Sequence, residues 1–424
     1  MSEQAATPPR KRKNLRIIVA GFIGNVLEWY DFAIYGFFAA TLGRLFFPAD
    51  DPATSLIASF GAFAVGFVMR PLGAILFGHI GDRWGRRSMM IVSVLSMAFA
   101  TCAIGLLPTD AQIGPAAAVI LVVLRMVQGL SVGGEYIGSG VFLSESAPAG
   151  RRGLFASFAT GGLFAGLLIG TAVGVLVSTL MTDDDIAAWG WRIPFWAGLL
   201  LGAIALFSRL KIDEPEAPDA PAKLPAAEAF RHHGGTILHA TAIDIVLAAN
   251  FYVTTIFVPG WLIRNADISR ALSLEINALA IALSIAAGFP AAMLSDKIGR
   301  RPVLLATALL FAVLFYPMYV LIASGDTAQV TLALCVLGLL NGAYAFVVPG
   351  TFAEMFPWRV RATSANLSHN LSMAALGGTG PMIATWIVAE TGGLVAVGVY
   401  LAALAVVSVI ACWFLKRPRD LKPT

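Results

Sequence analysis

A chain of 424 residues that is 58% hydrophobic and only 13% charged is too apolar for a water-soluble protein, where about a quarter of residues carry charge. The net charge of +4 is small, and no basic segment outside the apolar runs is interleaved with aromatics, which excludes a nucleic-acid-binding surface. Cys102, Cys335 and Cys412 all fall inside apolar runs, with neither disulfide nor metal-ligand spacing.

Apolar runs of about 18 residues or more recur along the chain, and each reads as a transmembrane helix. A basic tail, residues 1–14, leads into the first span, which is too long for the apolar core of a cleavable signal. The predicted spans are 15–46, 55–79, 88–107, 115–143, 154–180, 190–209, 237–262, 271–295, 302–323, 328–352, 362–389 and 393–415, twelve in all.

Span 1 contains "GNVLEWYDFAIYGF", which sets Glu28 and Asp31 three residues apart on one helical face, extended by Asn25 and Tyr35. Span 2 carries Arg70 and is followed by "GDRWGRR" (81–87). Span 4 aligns Arg125, Gln128, Val132, Glu135 and Ser139 on one face and is followed by "ESAPAGRR" (145–152). Span 5 has a ridge of Gly162, Gly166, Gly170 and Gly174, suited to close backbone approach. Residues 210–236 read as a linker rich in Pro, Ala and charge. Span 7 holds His239, Asp244, Asn250, Tyr252, Thr254 and Thr255. Span 8 is followed by "SDKIGRR" (295–301). Span 10 holds Asn341 and Tyr344 and is followed by "EMFPWRVR" (354–361). Span 11 places Asn366, His369 and Asn370 on one face, and residues 416–424 form a basic tail.

The post-span motifs repeat. Gly85, Arg86 and Arg87 after Asp82 and Arg83 have counterparts in Asp296, Arg300 and Arg301; Glu145 and Arg152 have counterparts in Glu354 and Arg361. The order is the same in both halves. That implies two parallel six-helix repeats, 15–209 and 237–415, around a midplane site, the architecture of an alternating-access transporter. Nearly all of the 29 Lys and Arg, Arg209 among them, fall in the tails, the linker and the loops on one side. Only Arg44, Arg192, Arg264 and Arg270 are assigned to the other side, so both termini are expected in the cytoplasm. In the first short loop the glycine permits a tight turn, and Arg83, Arg86 and Arg87 are expected at the anionic leaflet. Asp82 is expected to face the positive N-terminal end of span 11.

A charge at the bilayer centre costs roughly 2.5–3.5 kcal/mol on insertion scales, so intramembrane charges must cluster away from lipid. Part of the pattern reads as salt bridges that merely assemble helices. Yet Glu28, Asp31, Glu135 and Asp244 outnumber Arg70 and Arg125. The surplus acids are therefore candidate proton carriers, although Asp244 also suits a solvated rim. The arginines suit bidentate capture of a substrate carboxylate. Asn25, Tyr35, Gln128, Tyr252, Asn341, Tyr344, His369 and Asn370 complete the candidate substrate site. A small substrate with one charged end fits such a mixture.

The Asp-Arg-x-Gly-Arg-Arg loop, with Gly78 ahead of it, resembles the signature of the major facilitator superfamily; in the second half Ala292 replaces the leading glycine. "FVMRPLGAILFGHIGDRWGRR", "RMVQGLSVGGEYIGSGVFLSE" and "WGWRIPFWAGLL" resemble its metabolite:proton symporter branch, which transports α-ketoglutarate, citrate, shikimate or proline/glycine betaine. The resemblance implies an all-α, twelve-helix protein of the bacterial inner membrane, functional as a monomer and driven by the proton gradient without a cofactor. It matches Arg125, Gln128 and Gly129 to a span-4 motif associated with proton coupling, so Arg125 is also a coupling candidate. The expected cargo is a small carboxylate-bearing metabolite. The alternatives are a zwitterion such as glycine betaine or proline, a proton-coupled exporter, or a non-transporting receptor. No His-Glu-x-x-His and no Walker lysine loop is present, so neither an enzyme nor ATP drive is expected.

Overall fold

A computed structural model describes residues 10–50, 52–210, 212, 225–266 and 268–416. Most of the expected tails and the centre of the expected linker lie outside the described residues. Among the described residues, twelve helices are long and apolar enough to cross a bilayer. The first six are α1 (Asn14–Phe46), α2 (Ile57–Arg83), α3 (Arg86–Leu106), α4 (Ala116–Glu145), α5 (Arg152–Leu180) and α6 (Arg192–Leu210). The second six are α7 (Pro225–Asn265), α8 (Leu272–Ile298), α9 (Arg300–Ala323), α10 (Thr327–Met355), α11 (Trp358–Thr391) and α12 (Val395–Trp413).

Burial is inverted relative to a soluble protein. Outer faces carry Phe99, Leu180, Leu200, Val313 and Trp413, whereas arginines and carboxylates sit inside. The chain is an all-α, multi-pass membrane protein. Its helix pairing repeats: α1 packs on α5, α2 on α4 and α3 on α6, and likewise α7 on α11, α8 on α10 and α9 on α12. Between the halves, α2 meets α11 and α5 meets α8. The glycine ridge of α5 does what its spacing suggests. Gly162 and Gly166 rest directly on the α1 backbone at Phe22 and Val26, where a Cβ would collide.

One boundary differs clearly from expectation. Helix α7 begins at Pro225, not near 237, because "PAAEAFRHHGGT" is helical although too polar to register as a span. The linker is correspondingly shorter. Among the described residues, α10 is broken at Phe346–Val347, just ahead of Pro349, and two further helices carry a π-helical turn at mid-span. A π-helical turn runs over Val253–Phe257 in α7 and another over Met373–Gly377 in α11. Each is followed closely by a proline, Pro259 or Pro381. Proline cannot donate to the helical ladder, and a wide turn absorbs the misfit. Gly377 then lies against Tyr252, so the two irregular turns face each other.

Candidate functional site

The repeated motifs lock one end of the molecule. Asp82 at the end of α2 accepts hydrogen bonds from the backbone N–H groups of Ala362 (3.0 Å) and Thr363 (2.8 Å), as expected from its sequence position. These are the unpaired donors of the first turn of α11, where a carboxylate is favoured. The second half mirrors this: Asp296 accepts from the N–H groups of Gly153 (2.8 Å) and Leu154 (2.9 Å) at the start of α5. Each half thus caps a helix of the other. Gly78 is needed beside this contact, because Thr363 leaves no room for a Cβ. Gly85, at φ 100°, makes the turn that returns Arg86 to Asp82 at 2.6 Å.

The arginines of this loop are not all at the leaflet. Arg86 is buried, bonding Asp82, Glu145 (3.1 Å) and the Trp358 carbonyl (3.1 Å), while Arg361 bonds Glu145 across the halves at 2.8 Å. Arg87 donates to the carbonyls of Arg209 and Leu210, closing the end of α6. Arg83 is exposed. In the mirror loop, Arg300 bridges Asp296 and Glu354, both at 2.7 Å. Arg301 lies over the Trp413 ring, and Arg152 is exposed at the rim. The expected effect of Asp82→Asn is to loosen this end. A charge–dipole contact of roughly 1 kcal/mol corresponds to about a five-fold shift in the closed-to-open ratio. Thiol labelling of Ala362→Cys, in a background without the native cysteines, reads it directly; labelling unchanged by Asp82→Asn refutes the latch.

Deeper inside, the four intramembrane acids have different fates. Asp31 accepts from Arg125 Nη1 (2.9 Å), Gln128 Nε2 (2.8 Å) and Thr101 Oγ1 (2.9 Å). The Arg125 guanidinium lies 3.6 Å from the centre of the Tyr35 ring, and the Tyr35 hydroxyl is fixed on the Ser59 carbonyl. Glu135 pairs bidentately with Arg209, which also donates to the carbonyls of Ala20 and Met90. This corrects the placement of Arg209 in a basic loop: it is fully buried, and the missing side chain at Gly24 makes room for it. Asp244 is likewise no rim residue. It is fully buried and bonded to His369 (2.8 Å) and Ser372. The count of four acids against two bases therefore omitted two basic partners.

Glu28 is different. It is buried with both carboxylate oxygens unpartnered. Its charged surroundings are Arg70, Glu135, Arg209 and Asp31. Arg70 is also buried, with Nε and Nη2 unpartnered. Its guanidinium lies 4.2 Å from the Phe67 ring centre, 4.8 Å from Phe32 and 5.9 Å from Trp29. Tyr252, whose hydroxyl is unpartnered, packs edge-on against Phe67. Among the described buried ionisable Asp, Glu, Arg and His side chains, Glu28 and Arg70 are the two without an ion pair.

The other candidates divide. Asn25 bonds Ser139 (2.7 Å) yet keeps its side-chain carbonyl free. Gln128 and Tyr35 belong to the Asp31–Arg125 cluster. Asn341 accepts from Asn250 (3.1 Å) beside a small cavity of about 20 Å³ lined by the second half and by Phe164 of α5. Asn370 donates across the halves to the Gly133 carbonyl. Tyr344 points away from the centre, donating to the Ile243 carbonyl (2.6 Å) next to Cys412, which removes it from the candidate substrate site. His369 belongs with Asp244. The sequence reading missed Arg209, Thr101, Ser372 and the aromatic residues about Arg70; the mid-span polarity of Thr101 was the one available signal. A Gly-Leu-Ser-Val-Gly run at 129–133 has the spacing of a hydrolase nucleophile turn. It lies mid-helix in α4, and its Ser131 hydroxyl donates to the Val127 carbonyl.

Comparisons with known proteins agree in class. Residues 17–218 match the family model described as sugar (and other) transporter, and residues 242–424 match that of the major facilitator superfamily. A proline/betaine transporter of Salmonella typhimurium is 33% identical over 416 residues, covering 93% of this chain and 82% of that one. One of Escherichia coli is 34% identical over 418 residues, with the same coverage. A glycine betaine/proline/ectoine/pipecolic acid transporter of Dickeya dadantii is 32% identical, covering 95% and 83%. Among solved structures, a proton:xylose symporter bound to 6-bromo-6-deoxy-D-glucose superposes with a TM-score of 0.82 at 16% identity, covering 96% of this chain and 97% of that one.

Proposed function

Because this chain belongs to the major facilitator superfamily, and its close relatives transport small solutes, we propose that it is a proton-coupled importer of a small zwitterion. The observation that carries this reading is a pair of unpartnered buried groups of opposite type, the Glu28 carboxyl and the Arg70 guanidinium, the latter set among aromatic rings. Among the described residues, every other buried Asp, Glu, Arg or His has a partner of opposite type. A free guanidinium fork suits a carboxylate, and the ring faces now under Arg70, with the Glu28 carboxyl as a further acceptor, suit a secondary or quaternary ammonium. Arg70 itself occupies the rings. An arriving ammonium takes that place, and its carboxylate draws the guanidinium toward it. The names of the relatives from Salmonella, Escherichia and Dickeya support the same substrate class. Of the two substrate expectations, the zwitterion fits better than the simple carboxylate, which leaves Glu28 without a role at the substrate.

Asp31 and Arg125 are the proposed proton site. The carboxylate binds the proton when Arg125 is drawn from it, and Gln128 and Thr101 keep it oriented. We place the protein in the inner membrane with both termini and the capped-helix end in the cytoplasm, following its basic loops. The structure then represents a state with its inner end closed.

The substrate class is tested in proteoliposomes. A zwitterion carried with one proton moves net charge, whereas a monocarboxylate with one proton does not. Glycine betaine or proline is expected to evoke an inward current that grows with an inward pH gradient. A current with α-ketoglutarate or citrate, and none with the zwitterions, overturns the reading. Arg70→Lys keeps the charge but loses the planar fork. It is expected to raise KM for the zwitterion by about 10- to 100-fold, the factor for a lost charged hydrogen bond of roughly 1.5–3 kcal/mol. An unchanged KM removes Arg70 from the binding site.

A further inference from the structure

The Asp244–His369 pair takes no part in the function proposed above, yet its surroundings are built. Asp244 on α7 has one carboxylate oxygen, Oδ2, bonded to Nδ1 of His369 (2.8 Å) and to the Ser372 hydroxyl; the other, Oδ1, is buried and unpartnered. His369 on α11 is itself nearly buried, with its ring edge-on to Tyr136 of α4 at 4.9 Å. It lines a small cavity of about 20 Å³, room for about one water, that also touches Trp29, Tyr136, Thr160, Phe251 and Ala345. That cavity therefore lies between the halves. Trp29, which packs on Phe251 at 5.3 Å, lines this cavity and also belongs to the rings around Arg70, so it is the wall the two places share.

Charge balance makes the pair singular. Among the described residues its ion-pair partner is His369 alone, and no arginine or lysine is bonded to it. With one proton shared, the pair is neutral, whether as carboxylate and imidazolium or as acid and imidazole. Removing that proton leaves a net negative charge in a dry site, which is costly until water enters. The facing groups supply no fixed charge that would cancel it. On α4 there is the Tyr136 phenol, with Glu28 of α1 beyond it. On α10 there is Tyr344, and on α12 Cys412, whose hydroxyl and thiol contact each other. On α7 itself His239 is engaged with the Ala411 carbonyl. On α11 the charged contact to α2 is Asp82, two turns away at Thr363. Separation of the halves withdraws Tyr136 from His369 and lets water reach the ring.

We infer that Asp244 and His369 form a second proton-binding site, in the half that lacks Asp31, which exchanges its proton through the cavity between the halves. This inference does not depend on which solute is carried, so its test needs no substrate. The full-length protein, labelled with ¹⁵N at the imidazoles of its five histidines, is followed in micelles from about pH 5 to pH 9. His369→Gln assigns the signal; if that variant does not fold, replacing the other four histidines singly assigns it by elimination. The expected result is one protonation transition for His369, displaced by about one pH unit or more in Asp244→Asn. A His369 ring that keeps one protonation state across the range overturns the proposal, as does a transition that Asp244→Asn leaves in place. If Asp244→Asn fails to fold, the titration of the unmodified protein decides alone.

Discussion

Asp31→Asn is expected to turn an accumulating transporter into an exchanger. In the native protein the Asp31 carboxylate takes hydrogen bonds from Arg125, Gln128 and Thr101, and Arg125 is sandwiched against the Tyr35 ring. An amide at this position is the permanent mimic of the protonated acid. It keeps the volume, accepts from Thr101 or Gln128, and releases Arg125. The substrate can still bind and the halves can still rock, but no proton is surrendered inside. One charge moved through about 100 mV is worth about 2.3 kcal/mol, which sustains about fifty-fold accumulation of a solute carried with one proton. That gradient is expected to vanish in Asp31→Asn, while counterflow of labelled against unlabelled substrate continues. Retained accumulation would move the coupling site elsewhere, with the Asp244–His369 pair the next to be tested.

What the sequence revealed depended on the range of the signal. Helix number and the duplication of halves are local properties of hydropathy and of motifs such as "GDRWGRR" and "SDKIGRR", so they could be read directly. The contact of Asp82 with α11 was also accessible, because parallel repeats bring the end of α2 to the start of its equivalent in the other half. The inner charges were visible as residues but not as pairs. Arg209 occupies the last turn of α6 beside Lys211, where counting basic residues assigns it to a loop; only the room left by Gly24 on another helix brings it inside. Asp244 and His369 are 125 residues apart, and each looks bland alone. Tyr344 follows Asn341 by one helical step, and the sequence groups the two in the candidate substrate site. Its hydroxyl instead finds the Ile243 carbonyl, a preference no pattern within α10 announces. The polar start of α7 was missed for the converse reason: hydropathy detects the part of a helix that lies in lipid, not the helix.

The pair of Glu135 with Arg209 separates two roles that a single substitution confuses. Glu135 was a candidate proton carrier, yet its two oxygens are engaged by one guanidinium, which is held in turn by the carbonyls of Ala20 and Met90. This ties together α1, α3, α4 and α6. If the pair is structural, Glu135→Leu leaves a buried, uncompensated arginine and is expected to destabilise the protein by about 3–5 kcal/mol. Arg209→Met leaves the acid instead and is expected to cost a similar amount. Because the penalty of each single variant is the orphaned charge, the double variant Glu135→Leu/Arg209→Met removes both charges and is expected to recover most of the loss. Thermal unfolding in detergent measures the cycle. A large favourable coupling, with substrate accumulation retained in the double variant, makes the pair a clamp between helices. A double variant that is stable but no longer accumulates substrate would instead return Glu135 to the proton path. Glu135 would then have to part from Arg209 during transport, with Arg209 free to retain its two carbonyl partners meanwhile.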